Sequence, residues 1–156
     1  MAVFKEALQL KQVPLLSSLD SKQLKLLAFT CEVFDYADRD YLFHLGETSD
    51  CVYVILEGVV EIIGSDHDGQ AVLLATSSAN TLIGEMAVLS GAGRTASVKA
   101  RGTVTALKIP NDRFLELITG NPQVALHVMQ MLSTKLADTS RHAADLQTRI
   151  DRLEGA

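Results

Sequence analysis

CVYVILEGVVEII, residues 51–63, holds two β-type runs, 51–56 and 59–63, divided by Glu57-Gly58. The same alternation of short apolar runs and turn residues continues on both sides. Upstream it predicts strands at 32–36 and 41–44; downstream, at 71–76, 97–100 and 103–109. The separators are turn chemistry: Gly46 with Ser49-Asp50, the segment 64–69 with a glycine at each end, and Arg101-Gly102. Nine of the ten glycines fall between Gly46 and Gly120, as a chain of tight turns requires. Many short strands with frequent turns predict a sandwich, barrel or jelly roll.

Helices are predicted at both ends. Residues 3–30 read as helical, with Pro14 separating a short first helix over 3–10 from a second. Asp20 or Ser21 caps that second helix, where Leu24, Leu27 and Ala28 recur at helical spacing. After Pro110, Asn111-Asp112 can cap a short helix to Ile118, with Gly120 placed for a left-handed end. Asn121-Pro122 then opens a long helix reaching almost to Glu154. Ala125, Met129, Leu132, Leu136, Thr139, Ala143, Leu146, Ile150 and Leu153 follow strictly alternating steps of four and three, a heptad seam. At roughly 1.5 Å per residue the helix is about 45 Å long, more than a domain of this size needs to cover its core. The seam therefore predicts a parallel homodimer.

Composition bounds the rest. The 156 residues suffice for one domain, read as helices over 1–30, a region of short strands over 31–110 and helices over 111–156. Hydrophobic residues at 47% and charged residues at 21% exclude a disordered or fibrous chain. A net charge of −5 and a pI near 5.3 argue against a surface for nucleic acid or anionic lipid. No apolar run approaches a membrane span of about 20 residues, and Lys5 and Glu6 interrupt any signal-peptide core. The expectation is a soluble, cytoplasmic domain.

One long connection interrupts the tight turns: LIGEMAVLSGAGRTA, residues 82–96. Gly84 permits close backbone approach, and the residues from Glu85 to Leu89 can form one helical turn. Backbone N–H groups at the start of that turn would face an anion, and Arg94 offers a forked, permanently charged donor to it. Thr95 adds a hydroxyl. Glu85 suits a sugar hydroxyl while also orienting Arg94, and Ile83 and Met86 supply apolar walls. Taken singly these features are weak, since an arginine after glycines usually lies on a solvated surface. Together they describe a phosphorylated sugar carrying a base.

The segment GEMAVLSGAGRTASV, residues 84–98, resembles the phosphate-binding cassette of cyclic-nucleotide-binding domains. The resemblance extends to VPLLSSLDSKQLKLLA, residues 13–28, and to LGETSDCVYVILEGVVEI, residues 45–62, and so covers nearly the whole chain. It implies an eight-stranded jelly roll with helices at both ends. It also implies that Glu85 binds a ribose 2′-hydroxyl, that Arg94 and Thr95 bind the cyclic phosphate, and that N–H groups from Glu85 to Ala87 assist. Gly93 stands where the family often has proline, which implies a looser loop and weaker binding. LADTSRH, residues 136–142, resembles the segment whose Thr-Ser pair contacts adenine. Thr139 would then act in the subunit holding the ligand and Ser140 in its neighbour, which favours cyclic AMP. Thr95 is also compatible with syn guanine, so cyclic GMP stays open. With Gly155-Ala156 after Glu154, the expectation is a sensor without the helix-turn-helix of the family's transcription regulators, its output lying in a protein effector or elsewhere.

Other chemistry is not indicated. Asp66-His67-Asp68-Gly69 lacks the remaining ligands of a calcium loop and reads as a polar turn. His44, His67, His127 and His142 show no metal spacing, and Cys31 and Cys51 read as small core residues. No catalytic arrangement, metal site or cofactor is expected. The competing readings are a jelly-roll dimerisation module without ligand, and the sensor fragment of a larger transcription regulator.

Overall fold

The computed structural model describes residues 2–155, without the side chains of residues 2–4, 139 and 142. Two N-terminal helices, α1 (Ala2–Leu10) and α2 (Ser21–Thr30), flank a 3-10 turn at Pro14–Leu16. Asp20 caps α2 in a full capping box: it accepts from Gln23 N at 2.8 Å, while Gln23 Oε1 accepts from Asp20 N. The strands β1 (Glu32–Tyr36), β2 (Tyr41–Phe43), β3 (Cys51–Ser65), β4 (Ala71–Ser77) and β5 (Thr81–Ile83) follow. A short helix α3 (Glu85–Ser90), the strand β6 (Ser97–Pro110), and the helices α4 (Asn111–Gly120) and α5 (Pro122–Glu154) complete the chain.

The eight-strand expectation is corrected to six strands in one antiparallel sheet. Glu57-Gly58 and Arg101-Gly102 do not separate strands; each is a bend inside one. β3 and β6 stay paired across the bend, with register shifts on both sides of Glu57. Their halves take different outer neighbours. Residues 53–55 of β3 pair with β5 and 60–65 with β4, while β1 pairs with 104–108 of β6 and β2 with 98–99. Gly58 sits at φ +97°, and a Cβ there would lie 2.4 Å from Thr103 O. Only glycine lets the two backbones cross this closely.

The unbroken apolar run at the start of β3 is buried on both faces, as alternation along a strand requires of such a run. Cys51, Tyr53 and Ile55 face a core with Phe43, Ile83, Val98, Val104 and Ala106. Val52, Val54 and Leu56 face the helices, where Leu10, Leu24, Phe114, Val124 and Val128 close a second core. Both cysteines are free and buried.

The left-handed end expected at Gly120 does not form. α4 stops instead at extended Asn121, whose Nδ2 donates to Leu117 O at 2.9 Å and whose Oδ1 accepts from Gln23 Nε2 at 2.9 Å. So employed, Asn121 stands at the N-cap of α5 without a capping bond of its own. Asn111 likewise leaves α4 uncapped and donates through Nδ2 to Ser49 O at 2.9 Å. Val124 and Val128 anchor α5 to the body, and from residue 133 onward every described side chain of it is exposed. No helix among the described residues is long and apolar enough to cross a membrane.

Candidate functional site

A cavity of about 850 Å³ opens between the cassette, the Pro14–Leu16 turn and α5. Of the residues singled out from sequence, Ile83, Gly84, Glu85, Met86, Ala87, Arg94 and Thr95 all line it. Ser140 is exposed and does not. Thr139 lies in α5, but its side chain falls outside the described residues.

Glu85 and Arg94, 5% and 4% exposed, are the buried charged side chains among the described residues, and both face this cavity. Each has a different holder. Arg94 Nη1 donates to Gly84 O at 3.1 Å, and Nη2 donates to Cys51 O at 2.8 Å and, more weakly, to Cys51 Sγ at 3.7 Å. The guanidinium carbon stands 3.9 Å from the centroid of the Phe43 ring. Among the described residues no carboxylate forms an ion pair with Arg94. Glu85 therefore does not orient Arg94, as the sequence suggested. It accepts instead from Lys135 Nζ of α5, a pair half open to solvent on the lysine side.

The local folding explains the seat. Gly84, the N-cap residue of α3, sits at φ +88°, and a Cβ on it would meet Arg94 Nη1 at 2.4 Å. Arg94 N donates to Glu47 O and Arg94 O accepts from Gly46 N, both at 2.8 Å. The loop is tied on both sides of Arg94, and a Cβ at Gly93 would lie 3.1 Å from Gly46 O. Beneath the seat the polar groups stay neutral: burial raises the Cys51 thiol above its ordinary 9.0, and burial with the neighbouring Cys51 raises the Tyr53 hydroxyl. No anion forms there to satisfy Arg94.

His127, Gln130, Met131 and Lys135 also line the cavity and were not singled out from sequence. Their signal was the step of four from His127 through Met131 to Lys135, a stripe beside the heptad seam. The His127 Nδ1 atom is buried without a hydrogen-bond partner. No cluster of three or more His, Cys, Asp or Glu among the described residues could hold a metal ion.

A family model described as the cyclic nucleotide-binding domain matches residues 33–121, from within β1 to just past α4. The chain belongs to the cyclic nucleotide-binding domain family. Over 117 residues this cyclic nucleotide-binding domain is 29% identical to the cAMP-activated global transcriptional regulator CRP of Pasteurella multocida, covering 74% of this chain and 56% of that one. The Thermus thermophilus catabolite activator protein superposes with a TM-score of 0.78 at 25% identity, covering 86% of this chain and 63% of that one. The regulatory subunit of a cAMP-independent protein kinase A from Trypanosoma cruzi, bound to guanosine, superposes with a TM-score of 0.68 at 26% identity. That match covers 86% of this domain and 51% of the subunit. The chain spans about half the length of the curated relatives it matches.

Proposed function

We propose that this domain is a receptor for cyclic AMP that passes the binding event to α5. The observation that carries the reading is Arg94: a buried guanidinium facing a cavity with no carboxylate paired to it among the described residues. An unpaired buried charge is costly, and a bound anion removes that cost. In this reading Arg94 and Thr95 hold the cyclic phosphate, N–H groups from Glu85 to Ala87 assist, and Ile83 and Met86 wall the ligand. Thr139, with Ser140 of a second subunit, meets the adenine.

Glu85 is the junction. Its carboxylate accepts from Lys135 and is also the acceptor assigned to the ribose 2′-hydroxyl. Ligand arrival changes what holds α5 at this point, by no more than the ligand's differential affinity for the two arrangements. The seam on α5 supports a homodimer: Met129, Leu136, Leu146, Ile150 and Leu153 are exposed. Sedimentation at micromolar concentration should return a species of twice 16.9 kDa. A single 16.9 kDa species would remove the seam's assignment.

The test of the receptor is a melting series with cyclic AMP, cyclic GMP, adenosine and no ligand. At about 100 times the dissociation constant, cyclic AMP should add roughly 2.7 kcal/mol, or about 5 to 10 °C. A shift with cyclic GMP alone transfers the assignment to guanine. No shift with either leaves a jelly-roll interaction module without ligand.

A further inference from the structure

We propose that Phe43 is a positioning residue for the anion seat, its ring holding the Arg94 guanidinium by its face so that no carboxylate is needed on its N–H edge. The proposal rests on reading the cavity as a cyclic-nucleotide site.

A guanidinium has two kinds of surface: an edge of five N–H bonds and two flat faces. Two of those N–H groups are spent on Gly84 O and Cys51 O, both backbone carbonyls. The remainder of the edge has no acidic partner among the described residues. One face is taken by Phe43, 3.9 Å from the guanidinium carbon to the ring centroid. Phe43 is 7% exposed and stacks in turn on Tyr53, with centroids 5.9 Å apart and planes 24° from parallel. Tyr53 donates from its hydroxyl to Leu42 O at 3.4 Å, so the column of Tyr53, Phe43 and Arg94 is anchored in β2 and β3.

The two ways of holding a buried arginine have different consequences for an incoming anion. A carboxylate binds the N–H edge, neutralises the charge and must be displaced or shared when phosphate arrives. An aromatic ring stabilises the cation from its face and leaves edge and charge available. Backbone carbonyls and a ring therefore set the orientation, and the positive charge remains for the ligand. The packing is close enough to enforce this, since a Cβ on Gly84 would touch both Arg94 Nη1 at 2.4 Å and Phe43 Cε1 at 3.5 Å.

Fluorination of the ring weakens its negative face with little change of shape, so it separates electrostatics from packing. The full chain carrying phenylalanine, monofluoro-, trifluoro- or pentafluorophenylalanine at position 43 is titrated with cyclic AMP and with adenosine, which lacks the phosphate. Cyclic AMP affinity should fall stepwise, by about tenfold at five fluorines, while adenosine binding holds constant. Phe43→Leu should match the pentafluoro variant, and Phe43→Tyr should restore the native affinity. A flat cyclic AMP series, or a parallel fall for adenosine, overturns the role of Phe43 and leaves the receptor standing. Absence of cyclic AMP binding in the unsubstituted chain overturns both.

Discussion

Replacing Arg94 with leucine is expected to weaken cyclic AMP binding by about 2 to 5 kcal/mol, roughly 30-fold to several thousand-fold. The size follows from where the charge sits. At 4% exposure Arg94 offers its charge in a desolvated setting, so a phosphate held there as proposed would lose a partner that water cannot replace. The unliganded protein should respond very differently. Leucine removes a buried charge that has no carboxylate partner, which stabilises, and takes the guanidinium donors from the carbonyls of Gly84 and Cys51, the latter keeping only a long 3.5 Å bond from Ser49 Oγ, which destabilises by about 1 kcal/mol each. These effects oppose one another, so the melting temperature without ligand should stay near that of the native chain. Calorimetry on both chains checks the pair of expectations. Unchanged affinity for cyclic AMP would remove Arg94, and with it the assigned orientation of the ligand.

Gly58→Ala is expected to have the largest effect on the fold itself, about 3 kcal/mol or more of lost stability. Two independent costs coincide there. The backbone at φ +97° is one that L-residues avoid, and the added Cβ would lie 2.4 Å from Thr103 O, with Val104 Cγ2 and Cα near 3 Å. A backbone oxygen cannot rotate away as a side chain can. Relief requires the bend shared by β3 and β6 to open, and both cores lean on that bend through Val54, Ile55, Val104 and Leu107. Gly102→Ala is the control: its φ is also positive, at +71°, but a Cβ there meets nothing within 4 Å. Chemical denaturation should place Gly102→Ala well above Gly58→Ala; equal midpoints would show that strain alone, and not the crossing of the backbones, limits this position.

Much of the cassette was legible because its determinants are local. Gly84, Glu85 and Arg94 lie within ten residues of one another, and one loop between β5 and β6 brings them to one cavity. The start of α2 was legible to within one residue, Asp20 or Ser21, for the same reason, since an N-cap is decided within one turn; the capping box settles it on Asp20. What failed depended on partners distant in sequence. Glu57-Gly58 has the composition of a turn, and whether it ends a strand or bends one is settled by Thr103 on β6. Gly120 has the composition of a helix end, yet Asn121 ends α4, held there by Leu117 and by Gln23 from α2.

Readable from the chain alone were strands and turns between two helical ends, a glycine-rich loop at 82–96 carrying Glu85 and Arg94, and a heptad seam on a long closing helix. These are short-range patterns, and periodicity and turn chemistry act over a few residues. How the two buried charges are held depends on contacts between distant elements. Arg94 is seated on Cys51 and Phe43, while Glu85 is held by Lys135, fifty positions away on α5. The partner of a buried charge is chosen by packing, which brings together residues whose separation along the chain carries no pattern.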